Sequence, residues 1–420
     1  MPLRPKDTKK TQKIQNIFGS KVSCLGDFVA NGFSLFTLKT LKLKIKLLFF
    51  LIMFSFSAFP QDAKFDSVAA TGIKQIYNVQ FEDAEKTFRS LISDYPQHPA
   101  GRFFLAMIDW WKILLDIDNE SLDDLFYQKL EDVIFQCDGI LKKDESNVDA
   151  LFFKGGAIGF RGRLRAVRES WLKAADDGRE ALPIVERAAK LNPTNQDVQL
   201  GFGIYNYYAA VIPDQYPLVK PLMIFFPSGD KAKGIEQLKN TAFNGKYAKY
   251  EAQYFLMTLN FQYENNPYEA DTYAKMLTAQ FPDNPNFERW MGRISVKKGE
   301  GERYHKIFSV VLEKCFQKKR GYNKTVEREA NYYVGLFFKS INNPDSSIIY
   351  FEKSLQLSSE LDKDVTSGFQ INTVLYLGMM YDALNQREKA KEYYNRVLDM
   401  KEYGSSRSMA KQYLEKPFKN

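Results

Sequence analysis

Histidine is almost absent, with only His98 and His305 in 420 residues, and Cys24, Cys137 and Cys315 stand far apart. Neither histidine has a second histidine or a cysteine at ligand spacing, so a zinc or iron site has no donor set. His98 falls in the inter-helix stretch YPQHPAG and His305 near a helix start, GERYHKIF, where capping and surface roles suit them. The chain also lacks a serine elbow, a zinc-helix signature and a glycine loop ending in lysine and serine or threonine. Its one glycine-rich stretch, GGAIGFRGR at 155–163, follows no strand and reads as close helix packing. Acidic neighbours such as Glu131 and Asp132 point to different sides of a helix and form no convergent pair. No catalytic residue, metal or cofactor is therefore expected, and the chain does not read as an enzyme.

Net charge is missing where it matters. The formal charge of +8 lies wholly in residues 1–60, which hold ten basic residues against Asp7 and Asp27. Residues 61–420 carry 49 basic and 49 acidic side chains, so no general attraction to a phosphate backbone is expected and nucleic acid is excluded as a partner. No apolar run is long enough to span a bilayer either. The longest, at 47–59, follows Lys42, Lys44 and Lys46 and would reach only about 20 Å as a helix against a hydrocarbon core of ~30 Å. Basic residues, a short apolar run, the small residues Ser55, Ser57 and Ala58 and then polar PQDAK read as a signal peptide. Some 40 residues precede that run, so Met1 reads as a misassigned start. The expectation is export to the periplasm, the outer-membrane face or the medium, with peripheral association with the envelope and no transmembrane span in the mature form. Cys137 and Cys315 then remain, each in an apolar helical pattern, as two buried thiols rather than a disulfide.

What is abundant is helical periodicity. In LYLGMMYDALNQREKAKEYYNRVLDM, Leu377, Gly378 and Tyr381 share one helix face, and Ala390, Tyr394 and Val397 share the facing side of a second. The pattern returns as Gly72, Ala84, Phe88 and Pro96, as Ala270, Ala274, Leu277 and Pro282, and as Val334, Gly335, Phe338, Ser347 and Phe351. This resembles the tetratricopeptide repeat, in which small residues let two antiparallel helices approach and an aromatic fills the groove between them. The resemblance implies an all-α, right-handed superhelical solenoid of antiparallel helix pairs, about sixteen helices in eight pairs. Two departures stand out. Tyr304 and Ser347 occupy positions where that family prefers alanine, so their pairs should be opened or shifted. Gly292, Gly335 and Gly378 are 43 residues apart rather than 34, which longer helices or loops must absorb. Pro183 should interrupt a long helix. The expected organisation is a leader at 1–61, a helical array with a connector insert at 62–246, and a second array at 247–420.

The connector YPLVKPLMIFFPSGDKAKG, 216–234, joins two helices, with Ser228 or Asp230 free to cap the next one. Its large apolar residues either seal a seam between helix pairs or form an interaction patch. The resemblance implies a protein- or peptide-binding scaffold, and an aromatic surface of Tyr205, Tyr208, Tyr216 and Phe226, with Arg161 and Arg165 as contributors, is the candidate site. The alternative is a module that binds or senses a small acidic ligand through the arginine-rich face Arg161, Arg163, Arg165 and Arg168, since guanidinium groups grip carboxylate and phosphate bidentately.

Overall fold

The computed structural model describes residues 61–215, 227–363 and 366–419, which excludes the basic leader and its apolar run. Seventeen helices occupy the described residues, and no strand is found among them. The first half comprises α1 (Gln61–Tyr77), α2 (Phe81–Asp94), α3 (Ala100–Leu115), α4 (Asp123–Leu141), α5 (Val148–Val167), α6 (Trp171–Leu191), α7 (Val198–Gln215) and α8 (Lys231–Asn244). The second comprises α9 (Lys249–Gln262), α10 (Pro267–Gln280), α11 (Pro285–Lys297), α12 (Gly301–Phe316), α13 (Lys324–Ser340), α14 (Pro344–Leu361), α15 (Gly368–Ala383), α16 (Arg387–Asp399) and α17 (Ser406–Glu415). They pack as successive antiparallel pairs into an all-α solenoid, and residues 61–420 gather into one compact unit.

Local sequence dictates where the helices start and turn. Asn266, Asn284 and Asn343 each accept a backbone N–H of the first turn, and each is followed by a proline at the first helical position. Proline there loses no hydrogen bond, and its fixed φ suits the helix. Within six of the pairs the tight turn contains one left-handed residue: Val79, Glu169, Asn265, Gly299, Asn342 or Asn385. That single residue reverses the chain so the second helix can lie back along the first.

Packing inside the pairs follows the small-residue and aromatic register. A side-chain carbon on Gly378 would come within 2.6 Å of the Tyr394 ring, and one on Gly335 within 2.7 Å of Phe351. Ser347 does not open its pair as expected, because its hydroxyl donates to the Gly335 carbonyl at 2.9 Å and the side chain is fully buried. A hydroxyl with an acceptor at hand fits where alanine would. Tyr304 is buried too, so that pair is also closed. The 43-residue spacing is absorbed by α12 and α14, of 16 and 18 residues, and by the connections 317–323 and 362–367. Pro183 does not interrupt α6, which continues through it from Trp171 to Leu191. Both Cys137, buried, and Cys315, half-buried, are free thiols.

The array does more than stack neighbours. Helix α9 buries every residue from 251 to 260, and α3 buries both Trp110 and Trp111, so these two are enclosed on all sides. The enclosure arises because the first two pairs meet the fifth and sixth. Tyr77 stacks on Phe281 and Phe287, and Trp111 meets Tyr254 and Phe287 edge to face. Polar bridges cross the same seam. Asn284 donates to the Tyr77 carbonyl at 2.8 Å and Tyr247 to Asp66 at 2.7 Å, and beside the seam Thr325 of α13 donates to Asp116 at 3.2 Å.

Candidate functional site

On α5 the residues Arg161 and Arg165 are four apart and so share a face, opposite Asp177 on α6. Arg161 donates to Asp177 at 2.6 and 2.9 Å, to Glu131 at 2.7 Å and to Glu180 at 2.8 Å. Arg165 donates to both oxygens of Asp177, at 2.7 and 2.6 Å. Burial pushes the Asp177 carboxyl up while the hydrogen bonds of the two guanidiniums pull against it. Arg168 holds Asp123 through two nitrogens and the Ile117 carbonyl through a third. Arg163 turns inward, where it pairs with Glu251 and lies 4.5 Å from the Trp110 ring and 4.2 Å from Phe255. Glu251 in turn accepts the Tyr77 hydroxyl at 3.1 Å. All four arginines of the expected face therefore already hold carboxylates and tie helices together, Arg163 across the closing seam.

The expected aromatic surface divides. The Tyr205 hydroxyl donates to the Pro227 carbonyl at 2.6 Å and so anchors the far end of the connector to α7. Tyr208 faces inward against Tyr263 and Phe255, and desolvation there pushes its phenol well above the usual tyrosine range. Tyr216 and Phe226 lie outside the described residues. Asp230 caps α8 through the Lys233 N–H at 3.0 Å.

Other features have no mark in the sequence. Arg289 and Arg293 of α11 both bond Glu329 of α13, which is fully buried, and Arg293 also lies 5.1 Å from the Trp290 ring. Burial alone would raise the Glu329 carboxyl, but the two guanidiniums outweigh it and hold it at about 2. Two positive charges thus share one negative, and Arg293 keeps 24% of its side chain exposed. Ion pairs between helices about forty residues apart leave no local pattern, so sequence reading had nothing to detect. A cleft of about 750 Å³ lies between the α2–α3 and α4–α5 turns, lined among others by Pro96, His98, Gln136, Gly139 and Asp149. His98 accepts the Ala100 N–H at 3.2 Å, which makes it a cap for α3, and its other ring nitrogen lies 3.3 Å from Asp149. His305 stacks on Phe337 at 4.0 Å. Among the described residues no group of histidine, cysteine, aspartate or glutamate side chains is arranged to hold a metal, and no helix is long and apolar enough to cross a membrane.

Residues 373–400 match the family model described as tetratricopeptide repeat, which spans most of α15 and all of α16. No curated protein matches the chain. Among solved structures, the C-terminal part of a TPR repeat-containing protein from Cytophaga hutchinsonii is 14% identical, with a TM-score of 0.34 over 73% of this chain and 98% of that one. The human IFIT1 dimer with m7Gppp-AAAA is 11% identical with a TM-score of 0.38, and the same dimer with PPP-AAAA is 12% identical with 0.39, each over 86% of this chain and 87% of that one. The exclusion of nucleic acid is corrected here, since two of the similar structures are of a dimer with m7Gppp-AAAA and with PPP-AAAA. The physical reason is that a balanced total charge averages over the chain and says nothing of local excess such as that at Arg289 and Arg293. Residues 373–400 thus match a tetratricopeptide repeat within an all-α solenoid of successive antiparallel helix pairs.

Proposed function

We propose that this chain is a non-enzymatic binding module, a protein- or peptide-docking scaffold exported to the cell envelope. The observation that carries the reading is the architecture: paired helices present long side-chain surfaces, and the buried polar groups described above are engaged in holding helices together rather than converging on a reacting atom. Because α1 and α3 close against α9 and α11, the interior of that part is filled by its own aromatic side chains. Docking is thereby directed to the outer faces and to α13–α17. Cross-linking in an envelope extract followed by capture of the tagged chain tests this, and a chain recovered with no cross-linked protein refutes it. Export is tested by sequencing the N-terminus of protein recovered from cells. A start near residues 59–64 supports it, and a retained 47–59 segment refutes cleavage.

A second reading, a small acidic ligand, is favoured by the uneven charge at Arg289, Arg293 and Glu329. The arginine face Arg161 and Arg165 serves that reading only if a ligand displaces Asp177. Mass spectrometry of the gently purified protein separates the two readings, because a co-purifying anionic metabolite belongs to the second alone.

A further inference from the structure

We propose that the junction of α13, α15 and the C-terminal tail is a binding site for an anionic oxygen group, a carboxylate or phosphate of the partner, with Lys339 as its charge and Phe418 as its lid. The proposal rests on the binding-module reading and adds the chemistry of what is bound. Lys339 is half-buried, and its ammonium lies 5.3 Å from the Tyr376 ring and 5.7 Å from the Phe418 ring. It forms no ion pair with a described residue, and burial lowers its pKa. Asp382, which accepts the Phe418 N–H, is itself engaged by Arg387 at 3.0 Å and by the Tyr394 hydroxyl at 2.9 Å. Two ring faces offset part of what a desolvated ammonium loses, but only an anion gives it a charge-assisted hydrogen bond. Several other buried or half-buried cations, such as Arg161, Arg328 and Lys298, hold carboxylates, and the half-buried Arg102 and Arg407 donate to backbone carbonyls.

The lid is lightly held. The Phe418 N–H donates to Asp382 at 2.9 Å and its ring meets Tyr413 at 5.4 Å, whereas Lys416, Pro417 and Lys419 are exposed. The backbone at Lys416 is extended, so the tail leaves α17 as a strap that folds back across Lys339. Displacing it exposes the ammonium without unfolding a helix.

The test uses the full chain, a fluorescein-labelled hexaglutamate probe, its hexalysine counterpart, and pyrophosphate as competitor, read by fluorescence anisotropy. Two variants accompany it: Lys339→Met, which keeps the stem and removes the charge, and a chain ending at Glu415. Hexaglutamate should bind, Lys339→Met should weaken it about tenfold or more, and the shortened chain should bind several-fold more tightly. Thermal melting of Lys339→Met should be unchanged or raised, because the variant removes an unpaired desolvated charge. Displacement by pyrophosphate supports a phosphate-bearing partner, and its failure beside hexaglutamate binding supports a carboxylate-bearing one. Equal affinity in Lys339→Met, equal binding of hexalysine, or no hexaglutamate binding even to the shortened chain overturns the proposal. If that happens while a cross-linked envelope protein is still captured, the anion site falls and the docking reading stands. If capture fails as well, both fall.

Discussion

Replacing Glu329 by glutamine removes the single negative charge that Arg289 and Arg293 share, with almost no change in shape. The site is fully buried, and Arg289 and Arg293 each reach it with a nitrogen at 2.6 Å. Breaking a buried pair by removing one partner costs about 3–5 kcal/mol. An independent route gives a similar figure: the carboxyl is held at about 2 against an ordinary 4.5, and at about 1.4 kcal/mol per pH unit this difference is about 3 kcal/mol. Because the folded pKa is depressed, the contribution is fully present above the ordinary carboxylate value and is lost as pH falls through the folded one. Urea unfolding followed by far-ultraviolet circular dichroism should therefore show Glu329→Gln weaker by about 3 kcal/mol at neutral pH, with the gap to the unmodified chain narrowing in acid. In a stacked array the loss falls on the contact between α11 and α13, so α13–α17 should melt first. A gap below about 1 kcal/mol at neutral pH would show that the two arginines are solvated like an exposed pair and refute the reasoning. So would a gap that persists unchanged in acid.

Asp197 accepts the N–H groups of Lys246, Tyr247 and Ala248 at 2.8, 3.1 and 3.0 Å where the chain enters α9. Asp197→Ala orphans them and should cost about 2–4 kcal/mol by denaturant melting. Asp197→Asn, which keeps an acceptor and sheds a charge whose pKa burial has raised, should cost less. Glycines give a paired test. Gly139 has open space where a side chain would stand, so Gly139→Ala should stabilise α4 by about 0.5–1 kcal/mol, whereas Gly378→Ala collides with Tyr394 and should cost about 1–3 kcal/mol, both read by thermal melting. Arg161→Ala leaves Asp177 half-paired and should lower stability by about 2–3 kcal/mol, and captured cross-linked protein should fall only in proportion to the unfolded fraction.

The fold was largely legible because its rules are local. Glycine against aromatic at Gly335 with Phe351 and Gly378 with Tyr394 depends on spacing within some twenty residues, and the Asn-Pro starts at 266, 284 and 343 depend on two. Such signals survive repeat divergence, which is why 373–400 is also what a family model finds. Legibility failed where a residue's partner lies far along the chain. The carboxylate partners of Arg161 and Arg165 were not legible, because nothing in their neighbourhood reveals Glu131 thirty residues before or Asp177 aimed back from the next helix. Ser347 read as a defect in its pair because sequence spacing does not show that the Gly335 carbonyl is free to accept its hydroxyl. Pro183 read as a break, yet α6 runs through it.

The seam between the first two pairs and the fifth and sixth bears most directly on function. In an open stack each repeat would meet only its neighbours, and the inner side of every first helix would stay available to a partner. Here Tyr77, Trp111, Tyr254 and Phe287 occupy that space together, and Arg163 with Glu251 supplies a charge pair that a partner would have to break rather than join. Removing either member of such a pair strands the other, so the interior acts as a fixed support. Arg163 donates to Glu251, the Tyr77 hydroxyl donates to the same carboxylate, and the Tyr77 carbonyl accepts from Asn284. One chain of contacts thus links α5, α9, α1 and the start of α11. With that part closed and braced, two cations short of negative charge, Arg293 and Lys339, lie on the helices that follow the seam or at its edge. On the proposed reading, a partner bearing acidic groups would meet its attraction there, beside a part of the array already closed by its own side chains.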